Sequence, residues 1–362
     1  MGHLAARDVL VQAWRANIGE GGGYRRKITA RPVIADGRVF TMDSDAVVTA
    51  FDTGSGRRLW RVDTRAKKSR STNVGGGLAL DNGKLFAATG RGDAVALIPA
   101  TGKIVWRSTM DNAARAGPTA AEDKLFVPLI DGSLVALKQA DGSRAWLYQG
   151  VESETEMLGL PSPAYADGTV VAGFGNGDLV ALQAPTGALA WSDSLASNAG
   201  RNSLIDLPSV RAMPVIDNGQ VFAVGVGGLM ISLDLRSGRR LWERDVDSGE
   251  TPWLAGDWLF LLTGEMEAVA LNRTDGAVAW VTQLPPYENA KKQTGPIRWI
   301  GPTLIGDRLV FAGSVHRAVA VSPYTGKVLG LQNLPAAASV APVVADGTLY
   351  IVTDDATLLA LR

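Results

Sequence analysis

The sequence predicts an all-β protein, an eight-bladed β-propeller with four antiparallel strands per blade and a ring closed by the N-terminal strand. Three observations lead there. A two-part pattern recurs eight times with a mean spacing of roughly 44 residues, in the range of propeller blades. The pattern alternates apolar and polar residues with period two between Gly, Asp and Asn turns, and no stretch sustains a 3.6-residue period. Gly is abundant, 42 of 362 residues, against an ordinary share of about 7%, and no collagen-like triplet accompanies it, which assigns the glycines to turns.

The first half of the pattern is a Pro or small residue, an apolar pair, a Gly-bearing turn and an apolar run. It reads Pro32-Val-Ile-Ala-Asp-Gly-Arg-Val-Phe40 and Leu78-Ala-Leu-Asp-Asn-Gly-Lys-Leu-Phe86. It returns at Pro118 to Phe126, Pro163 to Val171, Pro214 to Phe222, Pro252 to Phe260, Pro302 to Phe311 and Pro342 to Tyr350. The second half ends in a Gly turn and a Trp, as in Val95-Ala-Leu-Ile-Pro-Ala-Thr-Gly-Lys-Ile-Val-Trp106. Each copy therefore supplies two strands per half. The seventh copy has Gly330 where Trp is expected, and the eighth stops at Arg362 after its third strand. Residues 9–18, with Leu10-Val-Gln-Ala-Trp14, supply the one candidate for the missing strand. It would close the ring and remove its free edges. No linker divides the chain, so residues 1–362 read as one propeller domain.

Seven of the ten Trp residues belong to the repeat: Trp14, Trp60, Trp106, Trp146, Trp191, Trp242 and Trp280. Their even spacing points to a structural role, each ring packed on the turn of a neighbouring blade. Trp253, Trp258 and Trp299 fall outside the motif. Trp299, in a long connecting segment, is the one expected at a surface.

Composition removes several kinds of chemistry. The chain has no Cys and two His, which excludes thiolate nucleophiles, disulfides and Cys/His zinc sites. Lys plus Arg equals Asp plus Glu at 36 each, without the basic excess of a general nucleic-acid binder. No apolar run is long enough to span a membrane, and the first residues lack the apolar core of a signal peptide. Gly173-Phe-Gly-Asn-Gly177 resembles a fragment of a nucleotide fingerprint, but a strand follows it rather than a helix, so it reads as a hairpin turn. His316 lies in an equivalent turn. Asp43-Ser-Asp45 and Asp354-Asp355 lack the rest of a calcium loop. No catalytic residue, metal site or cofactor is assigned.

In an up-and-down blade the turns between first and second and between third and fourth strands share one face. The turns between second and third strands share the other with the blade-to-blade connections. All the long segments fall on that second face: 61–77, 107–117, 147–162, 192–213 and 281–301. Loops of this length in a compact domain are usually functional. Segments 147–162 and 192–213 flank the fourth blade and are expected to be neighbours. Within them Glu154, Glu156, Met157, Leu158, Ser209 and Arg211 form the candidate partner-binding site, with Met157 and Leu158 an apolar anchor in an acidic stretch. An intramolecular Glu–Arg contact between the two loops is the plainer alternative.

The repeat Ala50-Phe-Asp52-Thr-Gly-Ser-Gly-Arg-Arg-Leu-Trp60 resembles the motif of pyrroloquinoline-quinone-type propeller repeats. Leu229 to Trp242, the loop Arg201-Asn-Ser-Leu-Ile-Asp206 and Pro161-Ser-Pro163 are similar to the BamB family of outer-membrane protein assembly factors, and the resemblance covers nearly the whole chain. It implies a non-catalytic lipoprotein scaffold on the periplasmic face of the outer membrane, binding the periplasmic domains of a BamA-type insertase. Unfolded outer-membrane proteins would be further partners. The lipid anchor and its Cys are not in this sequence. The chain departs from the family's Leu-x-Leu-Arg and Asp-x-Asp contact runs, reading Thr155-Glu-Met157-Leu158 and Ser209-Val-Arg211 instead. The competing readings are a quinone-dependent dehydrogenase, which the absence of Cys disfavours, and a ligand-sensing propeller.

Overall fold

A computed structural model describes residues 10–22, 27–65, 75–150, 161–195, 209–289 and 291–362. Eight four-stranded antiparallel sheets form a β-propeller, and the described residues contain no helix. Blades 1 to 7 are each built from four consecutive strands. Blade 8 takes three strands from the C-terminus and its outermost from Gln12–Asn17. That strand pairs with Thr357–Leu361, Trp14 opposite Ala360, and the two chain ends exchange amide bonds between Val11 and Arg362 at 2.8 and 2.9 Å.

The local chemistry of each blade accounts for its turns. The first two strands meet in two-residue turns such as Asp36-Gly37, Asn82-Gly83 and Asp167-Gly168, both residues at positive φ. Asn, Asp and Gly tolerate that backbone, and its twist matches the flanking strands. The core lies between blades rather than within them. Phe86 and Trp106 of blade 2, for example, share one cluster with Leu125, Val127 and Leu137 of blade 3.

One register recurs around the ring. A small residue of the third strand stands opposite the Trp of the fourth: Ala50 opposite Trp60, Ala96 opposite Trp106, Ala136 opposite Trp146 and Ala181 opposite Trp191. A register shift follows each of these pairs. The small partner leaves room for the ring to tilt towards the next blade. There the indole N–H donates to a carbonyl of the turn between third and fourth strands. Trp60 bonds Pro99 at 2.8 Å, Trp106 bonds Gln139 at 2.9 Å, and the seventh link, Trp14 to Thr53 at 2.9 Å, joins blade 8 to blade 1. The ring lies on a glycine: a methyl at Gly56, Gly102, Gly142, Gly187, Gly238 or Gly276 would meet an indole carbon at 2.6–2.8 Å.

Gly330 takes the Trp position of blade 7, opposite Ala320. Its intended neighbour, the turn between the third and fourth strands of blade 8, does not exist, because the chain ends meet there. Gln332 instead donates to the carbonyl of Leu10 at 2.8 Å. A shallow cleft of about 40 Å³ between Leu10, Leu329, Leu331, Leu349 and Leu361 marks the missing ring.

Trp299 corrects the expectation of a surface role. It opens the first strand of blade 7, Trp299–Ile305, and is 1% exposed. A small hairpin, Tyr287–Asn289 with Thr294–Pro296, folds the preceding segment back over blade 7. The Trp299 indole then donates to Pro285 O at 2.9 Å and packs with Leu284 and Ile297. An apolar ring of this size is worth burying wherever the chain can return over it.

Candidate functional site: the connection face

The turns between second and third strands and the blade-to-blade connections are joined by a repeated clasp. Just beyond the fourth strand, the amides of Met110, Leu195, Leu284 and Leu334 donate to Gly92, Gly177, Met266 and His316 in the same blade's turn, at 2.7–3.1 Å. Both kinds of segment therefore lie on one face. Gly173 to Gly177 is one of these turns, between Thr169–Gly173 and Asp178–Gln183.

Phe174 in that turn sits where the roots of two long connections meet. Its ring is 6.2 Å from that of Tyr148, at the end of blade 3. Its carbonyl accepts the amide of Val210, in the lead-in to blade 5, at 3.1 Å. Phe174 itself is 3% exposed. Val210 closes over Gly173, where a methyl would stand 2.4 Å from a Val210 methyl carbon. The glycine-rich turn thus lets two connections converge on blade 4, a role its sequence pattern did not reveal.

Of the candidate contact residues, Glu154, Glu156, Met157 and Leu158 lie outside the described residues. Ser209 is 4% exposed, and its carbonyl accepts Val226 N at 2.9 Å. It anchors the lead-in to blade 5 to the neighbouring turn. Arg211, two residues on, is partly exposed and turns towards the lead-in to blade 6, with Nη1 3.9 Å from the position of a methyl on Gly249. Burial lowers the pKa of its guanidinium and the Arg298 charge lowers it further, while Glu250 opposes both.

Glu250 is the centre of this group and was not singled out from the sequence. Ser248 fixes its backbone: the hydroxyl donates its one proton to Leu262 O at 2.7 Å, lies 3.0 Å from Glu250 O, and accepts Glu250 N at 3.0 Å. One carboxylate oxygen accepts the amide of Gly301 at 3.4 Å. Burial pushes the carboxyl pKa above its ordinary value, against the pull of Arg31, Arg298, the Gly301 amide and Arg211. Arg31 is half-buried; desolvation lowers its pKa, with Glu250 the opposing charge. A charged residue shortly before the Pro that opens a repeat was the available signal: Arg31 before Pro32, Arg211 before Pro214, Glu250 before Pro252, Arg298 before Pro302.

Large exposed apolar side chains among the described residues concentrate on the outer strands, as with Val105, Leu189, Val278 and Leu331. The face carrying Arg211 and Glu250 is charged and polar where it is described.

The fold is that of the propellers built from pyrroloquinoline-quinone-type repeats. It resembles the quinohemoprotein alcohol dehydrogenase of Comamonas testosteroni, with a TM-score of 0.70 at 16% identity over 97% of this chain and 76% of that one. It resembles the crystal structure of BamB from Moraxella catarrhalis more, with a TM-score of 0.81 at 18% identity over 98% of this chain and all of that one. In sequence it is 26% identical over 348 residues to the outer membrane protein assembly factor BamB of Shewanella oneidensis, covering 94% of this chain and 85% of that relative. The family described as outer membrane protein assembly factor BamB matches residues 44–282 and 285–362, and the chain belongs to that family.

Proposed function

We propose that this protein is a non-catalytic scaffold in the assembly of outer-membrane β-barrel proteins, working at the periplasmic face of the outer membrane as a lipid-anchored member of its complex. It binds the periplasmic domains of a BamA-type insertase through the connection face. The observation that carries this reading is membership of the BamB family along nearly the whole repeat array. The likeness to quinone-dependent dehydrogenases is one of fold, and fold alone does not assign chemistry.

The contact falls to the two connections rooted at Phe174. Glu154, Glu156, Met157 and Leu158 come from the first, Ser209 and Arg211 from the second. A partner site needs a small apolar centre within a polar rim. The described part of the face supplies the rim, which leaves the centre to Met157 and Leu158. Ser209 contributes through its backbone, since its side chain is buried.

The test is binding of the cognate BamA periplasmic domains to Met157→Ala, Leu158→Ala and Arg211→Glu variants. Loss of an apolar anchor is expected to cost about 1–2 kcal/mol. The charge reversal is expected to change the association rate at low salt more than at high salt. Unchanged affinity and rates in all three folded variants would reject this site. Quinone-dependent alcohol oxidation by the pure protein would reject the non-catalytic reading.

A further inference from the structure

One row of side chains crosses the second, third and fourth strands of each blade at the same register. It reads Phe40–Ala50–Trp60 in blade 1, Phe86–Ala96–Trp106 in blade 2 and Tyr350–Ala360–Trp14 in blade 8. The two rings of these rows have centroids 5.9–6.0 Å apart. Blade 4 has Val171 in the first place but keeps Trp191. In blade 7 the row is Val310–Ala320–Gly330, so both rings are gone. Every other row keeps at least its Trp. The cleft of about 40 Å³ between blades 7 and 8 opens at this row: Val310, Ala320 and Gly330 line one side, Leu349, Ile351 and Leu361 of blade 8 the other.

We propose that this cleft binds a neutral aromatic ring supplied by another molecule, in the place that the repeat Trp fills elsewhere. The other blade interfaces set their spacing around a flat ring, and here the same register leaves the slot empty of one. A cleft of this size has room for about three waters, each needing about 10–15 Å³, but its walls offer them few polar partners. The polar groups at its ends are already engaged. Gln332 donates to the Leu10 carbonyl at 2.8 Å, and Arg308 Nε stands 3.8 Å from the Asp307 carboxylate. A neutral ring therefore suits the cleft better than an ion. Leu329 and Leu331 also line it and are each about half exposed, which places its open side at the outer strand. A ring entering there covers apolar surface that faces water. Residues 1–9, ahead of Leu10, include no Phe, Tyr or Trp, so the adjoining chain has no such ring to insert.

The ring comes either from a small aromatic molecule or from a side chain of another polypeptide. Indole stands for the first and N-acetyltryptophanamide, an indole on a peptide unit, for the second. Phenol and cyclohexanol form a flat and puckered pair. Binding to the full chain is read by ligand-observed NMR titration. Indole is expected to bind with a Kd on the order of millimolar or tighter. Phenol is expected to bind about fivefold more tightly than cyclohexanol, whose puckered ring overfills the slot. Gly330→Trp puts the chain's own indole in the cleft. A Cβ at Gly330 meets nothing within 4 Å, and its backbone lies outside the left-handed region. This variant is therefore expected to fold and to weaken indole binding by about tenfold or more. Val310→Phe restores the other ring of the row and is expected to weaken binding by a second route, whereas Gly330→Ala leaves the cleft open and keeps the parent's affinity. Tighter binding of indole than of N-acetyltryptophanamide supports a small molecule, and the reverse a polypeptide side chain. Binding of neither, cyclohexanol as tight as phenol, or undiminished indole binding in Gly330→Trp and Val310→Phe would overturn the proposal. These outcomes are independent of insertase binding, which is tested at Met157 and Leu158.

Discussion

A geometric constraint repeated around the ring is the contact between each repeat Trp and the glycine beneath it, and Gly142→Ala isolates it. Gly142 has φ +75°, and a methyl there would stand 2.6 Å from Trp106 Cε3 and 2.8 Å from Cζ3. Comfortable carbon–carbon contact is about 3.5–4.0 Å, so the ring must retreat by about 1 Å. That stretches the 2.9 Å bond from Trp106 to Gln139 O beyond useful range. Three costs add. Left-handed backbone costs about 1–2 kcal/mol for a residue with a Cβ. Overpacking costs about 1–3 kcal/mol, and the lost hydrogen bond about 1 kcal/mol. Gly168 provides the control: it has φ +77° and nothing within 4 Å of its added methyl. Gly168→Ala should therefore lose only the backbone share. Urea unfolding followed by tryptophan fluorescence should show Gly142→Ala less stable than Gly168→Ala by about 2 kcal/mol or more. In a Trp106→Leu background the two penalties should converge. Equal penalties in the parent protein would refute the idea that the indole, rather than the turn, requires glycine here.

Two further perturbations test the packing around the ring. Ser232 occupies the small-residue position opposite Trp242, where several other blades have Ala, and its hydroxyl is fully buried without a hydrogen-bond partner; Ser232→Ala should raise stability by about 1 kcal/mol in a denaturant melt, and a loss would show that the hydroxyl is satisfied in solution. Asp193 of blade 4 takes two bonds from Arg240 of blade 5, at 2.8 and 2.6 Å. Burial alone would raise the Asp193 pKa, but Arg240 and the Ser194 amide more than offset it and hold the carboxyl below its ordinary value. A depressed carboxylate contributes stability above its unfolded-state pKa and loses it as pH falls through the folded value. Asp193→Asn should therefore destabilise the protein by about 1 kcal/mol at neutral pH, solvent screening included. The difference from the parent should shrink as the medium becomes acidic, and a difference independent of pH would exclude the ion pair as its source.

Some features of the site were legible in the sequence and others were not, for reasons that differ residue by residue. The face was readable from strand parity, because an even number of strands per blade fixes where each connection emerges. Ser209 and Arg211 were placed on that face, but their opposite exposures were not readable. A lead-in segment has no period to say which side chain turns inward. Phe174 looked like part of a hairpin turn, and its place between the roots of two connections depends on Tyr148 and Val210, distant in sequence. Trp299 was misread because the segment before Pro302 carries no repeat signature. The returning hairpin that buries it is specific to blade 7.

By itself the sequence determined the number of blades, the order of strands, the turn chemistry and the closure of the ring. These follow from local rules: period-two alternation, residues that accept positive φ, and a Trp–Gly spacing repeated until the final copy runs out of chain. Even the absence of the seventh blade's Trp was visible at Gly330. The tertiary structure supplied its reason, since the turn that would receive that ring is replaced by the two chain ends. Tertiary structure alone decided the charged group around Glu250. Glu250 and Arg298 lead into the neighbouring blades 6 and 7, whereas Arg31 leads into blade 1, and only a closed ring brings Arg31 within reach of their charges. Once there, enclosure makes their charges act on one another far more strongly than they would in water.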